Sequence, residues 1–174
     1  MYLKSTRNRN ALITINQFPL SDSVAVKNSL TELNGRTKEY GLFLTVKQVN
    51  KLADAVRRAL AESGRIEIGA GIMPVLAEEF STSVFVNCEN YASVLEELIY
   101  IFFHIKTALC DKISDRELVR VLKDYYENKA YGSVEIMRDR DIDVLIKYIE
   151  TEMGSTGSAG AGLYDFDSYT DERA

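Results

Sequence analysis

The sequence predicts an all-α fold, one small multi-helix globular domain of five to seven helices packed around a single central hydrophobic helix. Residues 91–109 are its most apolar long segment, and at about 3.6 residues per turn nearly every face of that helix is hydrophobic. Two capping boxes, Thr45 with Gln48 and Ser114 with Glu117, mark helix starts on either side of it. A chain of 174 residues can bury such a core without disulfides.

The central helix is expected to be buried by neighbouring helices rather than inserted in a membrane. Glu96, Glu97 and Lys106 interrupt its apolar residues with charge. A membrane span needs about 20 nearly uninterrupted apolar residues, whereas a helix that is hydrophobic almost all round is typical of a protein core.

Three helices are predicted before the central one. They cover residues 22–34, 45–63 and 72–80. Asn34-Gly35 and Gly64 supply stops, and residues 65–71 form an extended link. The apolar face of the second helix is predicted to consist of Val46, Val49, Leu52, Ala53, Val56, Ala59 and Leu60.

Three further helices are predicted after residue 109. The first starts at the Ser114 capping box, and a short one follows Ser133, which is placed to cap it. The last begins near Asp141 and has an apolar face. Asn87 or Asn90 is expected to cap the central helix itself.

The chain divides into three regions by composition. Residues 1–20 are weakly patterned and read as an N-terminal arm, and residues 21–153 form the helical domain. Residues 154–174, termed the tail below, combine a Gly/Ser-rich linker with an acidic aromatic sequence and are expected to be disordered. Within the tail, Tyr164, Phe166 and Tyr169 alternate with aspartates, a pattern typical either of a docking peptide or of an inert solvated tail.

Composition favours a cytoplasmic protein that does not bind nucleic acid. The formal net charge is −5, whereas general nucleic-acid binders usually have a basic surface. Cys88 and Cys110 are too few for a disulfide framework or a zinc cluster, and the central helix would separate them by about 30 Å. The apolar run after Lys4, Arg7 and Arg9 is shorter than that of a signal peptide.

Motifs for chemistry are weak, so no catalytic, cofactor-binding or metal-ligating residue is predicted. His104 is the single histidine, one turn from Tyr100 on a narrow polar stripe of the central helix, where a solvated face explains it as well as proton transfer does. Gly69 and Gly71 lack the rest of a phosphate-binding loop.

An acidic pattern near the end of the domain matches a calcium loop only in part. Asp139, Asp141, Asp143 and Glu150 occupy ligand positions of such a loop. The sixth position requires glycine for a sharp turn, and Val144 stands there. We therefore expect the acidic start of a helix rather than a calcium site.

Two function classes remain open from the residues. The first is a non-enzymatic protein-interaction or regulatory module, which binds another protein through a helical groove or through Tyr164, Phe166 and Tyr169 of the tail. The alternative is a small-molecule-binding protein or enzyme. Its pocket would lie near Arg65, Glu67, Tyr100 and His104.

Several short strings, taken together, resemble a bacterial protein family catalogued only as a domain of unknown function. The strings are Tyr40-Gly41-Leu42 with Leu44-Thr45, Gly64-Arg65-Ile66-Glu67 with Gly69, Phe80 with Ser83, Glu89-Asn90-Tyr91 before Phe102 and Lys106, Ser114-Asp115 with Glu117-Leu118, and Gly132-Ser133-Val134-Glu135. The resemblance covers about residues 30–150. It implies a small cytoplasmic helical protein and carries no activity, cofactor or catalytic residue.

Overall fold

All regular structure in the described part of the chain is helical, which confirms the predicted all-α class. The computed structural model describes residues 22–139 and 142–155. The helices are α1 Ser23–Thr37, α2 Val46–Ser63, α3 Met73–Phe80, α4 Tyr91–Ala108, α5 Asp115–Asn128, α6 Val134–Asp139 and α7 Ile142–Ser155, with a 3-10 turn at Lys38–Tyr40.

Helix α4 is the centre of the fold, as the sequence predicted. It packs against α2, α3, α5, α6 and α7, while α1 packs on α2 and α3. Eight apolar side chains of α4 are buried beyond Tyr91, namely Val94, Leu95, Leu98, Ile99, Ile101, Phe102, Phe103 and Ile105. Among the described helices, none is both long and apolar enough to cross a membrane.

Local capping fixes where several helices start. The Thr45 hydroxyl accepts the amide of Gln48, and the Gln48 side chain accepts the amide of Thr45, so the predicted capping box of α2 is formed. Ser114 accepts the amide of Glu117 at the start of α5. Asn90 precedes α4, but its side chain makes no capping bond to that helix.

Three boundary predictions are corrected by tertiary contacts. Helix α1 runs through Asn34-Gly35 to Thr37. The Asn34 side chain does not end the helix, because it donates to the carbonyl of Leu44 and accepts the amide of Leu44, both at 2.8 Å. Helix α7 continues to Ser155 and so includes the first two residues of the predicted linker. Val46, predicted on the core face of α2, is 80% exposed, because Leu42 and Leu44 fill the core positions beside the first turn.

Candidate functional site

Arg65 is held by the turn that joins α4 to α5. Its guanidinium donates to both carboxylate oxygens of Asp111, at 2.8 and 2.9 Å, and to the Thr107 hydroxyl at 3.2 Å. This bidentate bond matches the planar fork of arginine. The bond to Asp111 raises the pKa of Arg65, and Arg65 in turn lowers the pKa of Asp111.

Lys106 is a buried cation that contacts three groups of the fold. Its side chain is 8% exposed. The ammonium donates to the backbone carbonyl of Ile113 at 2.7 Å, and it pairs with Asp115 at 2.8 Å and with Asp111 at 3.4 Å. Lys106 therefore ties the end of α4 to the start of α5.

Glu67 places its carboxylate against the backbone of Gly71. One oxygen accepts the amide of Ile72 at 3.1 Å, while the other is buried and has no hydrogen-bond partner among the described residues. A Cβ atom at Gly71 would lie 1.9 Å from that second oxygen. The loop that contains Gly69 and Gly71 therefore packs against a carboxylate of the chain itself.

Burial also changes the acidity of the Glu67 carboxyl. Burial raises its pKa to about 7, the hydrogen bond from Ile72 opposes that rise, Asp115 adds to it and Arg65 opposes it. A buried carboxyl with a raised pKa is typical of a general base only where a substrate can reach it. Here the unpaired oxygen lies against Gly71, in a residue that also lines an open cleft.

The four predicted pocket residues lie in separate cavities. Arg65 and Glu67 line a cavity of about 170 Å³ beside Lys106, and Glu67 also lines an open cleft of about 880 Å³. Tyr100 and His104 line a different cavity of about 490 Å³, between α2, α4, α6 and the start of α7. The predicted single pocket is therefore two pairs of residues in two places.

The polar stripe of α4 is partly exposed and partly paired. His104 is exposed, and Glu97, one turn before Tyr100, forms an ion pair with Arg138 at 2.9 Å. Both Asp143 and Glu150 lie within the helix α7 rather than in a calcium loop, and Asp141 lies outside the described residues. Within residues 22–139 and 142–155, no group of three or more His, Cys, Asp or Glu side chains is placed to hold a metal.

A second feature, which the sequence did not indicate, is an apolar groove between α1 and the start of α2. Its volume is about 400 Å³. Six of its lining residues are Asn34, Lys38, Phe43, Leu44, Val46 and Val49. We call this surface the α1–α2 groove.

The α1–α2 groove has an exposed apolar rim on a fixed backbone. Phe43 is 47% exposed and Val46 is 80% exposed, and Tyr40, just before the groove, is 57% exposed. Asn34 bonds both backbone groups of Leu44, and the Thr37 hydroxyl donates to the carbonyl of Leu42 at 3.2 Å. These bonds hold residues 42–45 extended, so that Leu42 and Leu44 are buried while Phe43 faces out.

The charge along the α1–α2 groove is positive. The Lys38 ammonium lies 5.5 Å from the centre of the Phe43 ring, a cation–π distance. The first turn of α2 contains no acidic residue and includes Lys47, although the positive end of the helix dipole favours an acid there. The groove therefore combines apolar side chains with the ammonium of Lys38, which forms no ion pair among the described residues.

The sequence contained weak signals for these features. Lys106 is a lysine within the most apolar helix, and buried lysines require partners. Phe43 and Val46 flank a cap, where nothing in the local pattern separates a core residue from an exposed one. The predicted docking residues Tyr164, Phe166 and Tyr169 lie outside the described residues.

Comparison with known proteins gives a family but no function. Residues 29–155 match DUF6323, which is described as a family of unknown function. No curated protein and no solved structure matches the chain. Because the matched residues are most of the chain and include every helix except the first turns of α1, the chain belongs to DUF6323.

Proposed function

We propose that this chain is a bacterial, cytoplasmic, non-enzymatic interaction module that binds another protein through the α1–α2 groove. The observation that carries the proposal is the exposed apolar trio Tyr40, Phe43 and Val46 around a groove with a buried floor. Burying such side chains against a partner gains about 25 cal/mol per Å² of apolar surface. Exposed apolar surface of this kind is typical of interaction sites.

The rigid backbone of the groove also supports this proposal. Residues 42–45 are already bonded to α1 through Asn34 and Thr37. A partner would therefore bind a preformed surface, and little of the binding free energy would be lost in ordering it.

The charged residues of the domain support an interaction module more than an enzyme. Arg65 and Lys106 are paired with Asp111 and Asp115, and Glu67 bonds the backbone amide of Ile72. Groups that satisfy each other and the backbone stabilise the fold, but they leave few polar groups convergent on a substrate.

The small-molecule alternative has one observation in its favour, the cavity of about 490 Å³ next to Tyr100 and His104. Its lining combines these two polar side chains with apolar ones such as Ile101 and Phe103. A thermal-shift screen of metabolites would detect a ligand there as a rise in Tm, and Tyr100→Phe would reduce that rise.

Affinity capture with a groove variant tests the interaction proposal. Val46→Asp places a carboxylate at the first position of α2, where the helix dipole favours it, and it removes the apolar rim. Val84→Asp is the matched control, because Val84 is 88% exposed and lies outside the groove lining.

We expect the wild-type full chain and Val84→Asp to capture the same partner protein from the native cytosol. Val46→Asp is expected to reduce that capture at least about tenfold, which corresponds to about 1.4 kcal/mol of binding free energy. Equal capture by Val46→Asp and Val84→Asp would contradict the groove as the binding surface.

A further inference from the structure

We propose that the α1–α2 groove is occupied in the free protein by the chain's own tail, through the aromatic and acidic residues 164–171. This inference rests on the proposed function, because it names an occupant for the same surface. The tail would then act as an internal competitor of a partner protein.

The chemistry of the groove matches the chemistry of that segment. The groove offers Phe43 and Val46 as exposed apolar contacts, beside Lys38 and the start of α2. The segment offers Tyr164, Phe166 and Tyr169, each followed within two residues by an aspartate. Aromatic rings bury large apolar areas, and aspartates are favoured near cations and near helix N-termini.

The positive groups in and beside the groove form no ion pair in the described part of the chain. Neither Lys38 nor Lys47 forms an ion pair there, whereas Lys51 one turn further along α2 pairs with Glu96. The capping box takes the amide of Gln48, and the amides of Val46 and Lys47 receive no acceptor within residues 22–139 and 142–155. A helix start with two free amides and no acid favours carboxylates from elsewhere.

A second exposed apolar surface, around Val84 and Tyr131, does not fit an acidic segment as well. Val84 and Tyr131 adjoin the contact between Phe85 and Gly132. In that region Lys123 already forms an ion pair with Glu79 and donates a hydrogen bond to the Thr82 hydroxyl. The α1–α2 groove is therefore the better match by charge.

The linker is long enough for this contact. Helix α7 ends at Ser155, so an extended chain reaches about 30 Å to Tyr164 and about 48 Å to Tyr169. A helical domain of this size has a radius of gyration of about 14 Å. The segment can therefore reach the groove without unfolding α7.

Hydrogen exchange of the full chain tests the inference. The aromatic variant carries Tyr164→Ser, Phe166→Ser and Tyr169→Ser, and the charge variant carries Asp165→Asn, Asp167→Asn and Asp171→Asn. We expect amides of residues 42–49 to exchange at least about threefold faster in the aromatic variant and by a smaller factor in the charge variant. Residues 114–119 at the capped start of α5 serve as the internal control and should not change.

Two outcomes overturn the inference. One is unchanged exchange of residues 42–49 in both variants. The other is protection that falls on about tenfold dilution of the wild-type chain, because this would assign the contact to the tail of a second copy.

Failure of this inference is distinguishable from failure of the groove proposal. If exchange is independent of the tail while Val46→Asp still abolishes capture of a partner, the groove proposal stands without the tail. If the tail protects the groove but Val46→Asp does not reduce capture of any partner, the partner proposal fails. The contact between the tail and the groove then stands.

Discussion

At the scale of single residues, Glu67 shows how a loop of the chain can bury one of its own carboxyls. Its raised pKa comes first from burial, since the carboxylate lies against Gly71 with one oxygen bonded to Ile72. The sequence placed Glu67 in a candidate pocket with Arg65, Tyr100 and His104. The local pattern did not show that the partner of Glu67 would be its own loop, since this depends on how Gly69 and Gly71 turn the chain.

Stability should fall as the pH rises through the range in which Glu67 ionises. In the folded chain the pKa of Glu67 is about 7, above the ordinary value of 4.5. Its stabilising contribution is therefore fully present below about pH 4.5 and is lost as the pH rises to about 7. In Glu67→Gln the isosteric amide cannot ionise, so this loss should be absent.

Urea unfolding of both proteins at about pH 5 and about pH 8 measures this difference. Between about pH 5 and about pH 8, the wild type should lose about 1–2 kcal/mol more of its free energy of unfolding than Glu67→Gln does. This figure allows for solvent screening. The difference isolates Glu67 from Asp111, whose pKa is lowered and whose effect lies at acidic pH. A parallel pH dependence of the two proteins would show that Glu67 is not the responsible group.

At the scale of elements, local signals predicted where helices start better than which of their side chains are buried. The Thr45 and Ser114 caps are within three residues of their partners, so the sequence alone contains them. Val46 was assigned to the core because it continues the apolar spacing of α2, but Leu42 and Leu44 from the preceding segment take the core positions. The buried pairing of Lys106 likewise depends on the turn after α4, where Cys110 and Asp111 adopt left-handed conformations.

The connection between α4 and α5 should depend strongly on Lys106. Lys106→Met keeps most of the side-chain volume but leaves the Ile113 carbonyl without its donor, and we expect a loss of about 1–3 kcal/mol in the free energy of unfolding. Lys51→Met is the control, because Lys51 pairs with Glu96 at an exposed position and should cost less than about 1 kcal/mol. Urea unfolding measures both, and equal losses would show that the buried pairing does not stabilise this connection.

At the scale of the whole molecule, the sequence predicted the fold class, the central helix and most helix positions, because these follow from apolar periodicity and caps. It grouped Arg65 and Glu67 with Tyr100 and His104, whereas these pairs line different cavities. It also gave no sign of the α1–α2 groove, since a groove depends on how α1 packs on α2 and on the Asn34 bonds to Leu44. Surfaces made by tertiary contact are not contained in local patterns.

The most direct test of the groove as the binding surface is photocrosslinking in living cells. A photoreactive phenylalanine analogue replaces Phe43 in the full chain, and Tyr131, which is 74% exposed and outside the groove lining, carries it in the control. We predict one partner protein crosslinked at position 43 in clear excess over position 131, and its loss when Val46→Asp is added. Equal labelling at the two positions, or labelling at 43 that persists with Val46→Asp, would contradict the groove as the surface through which this chain acts.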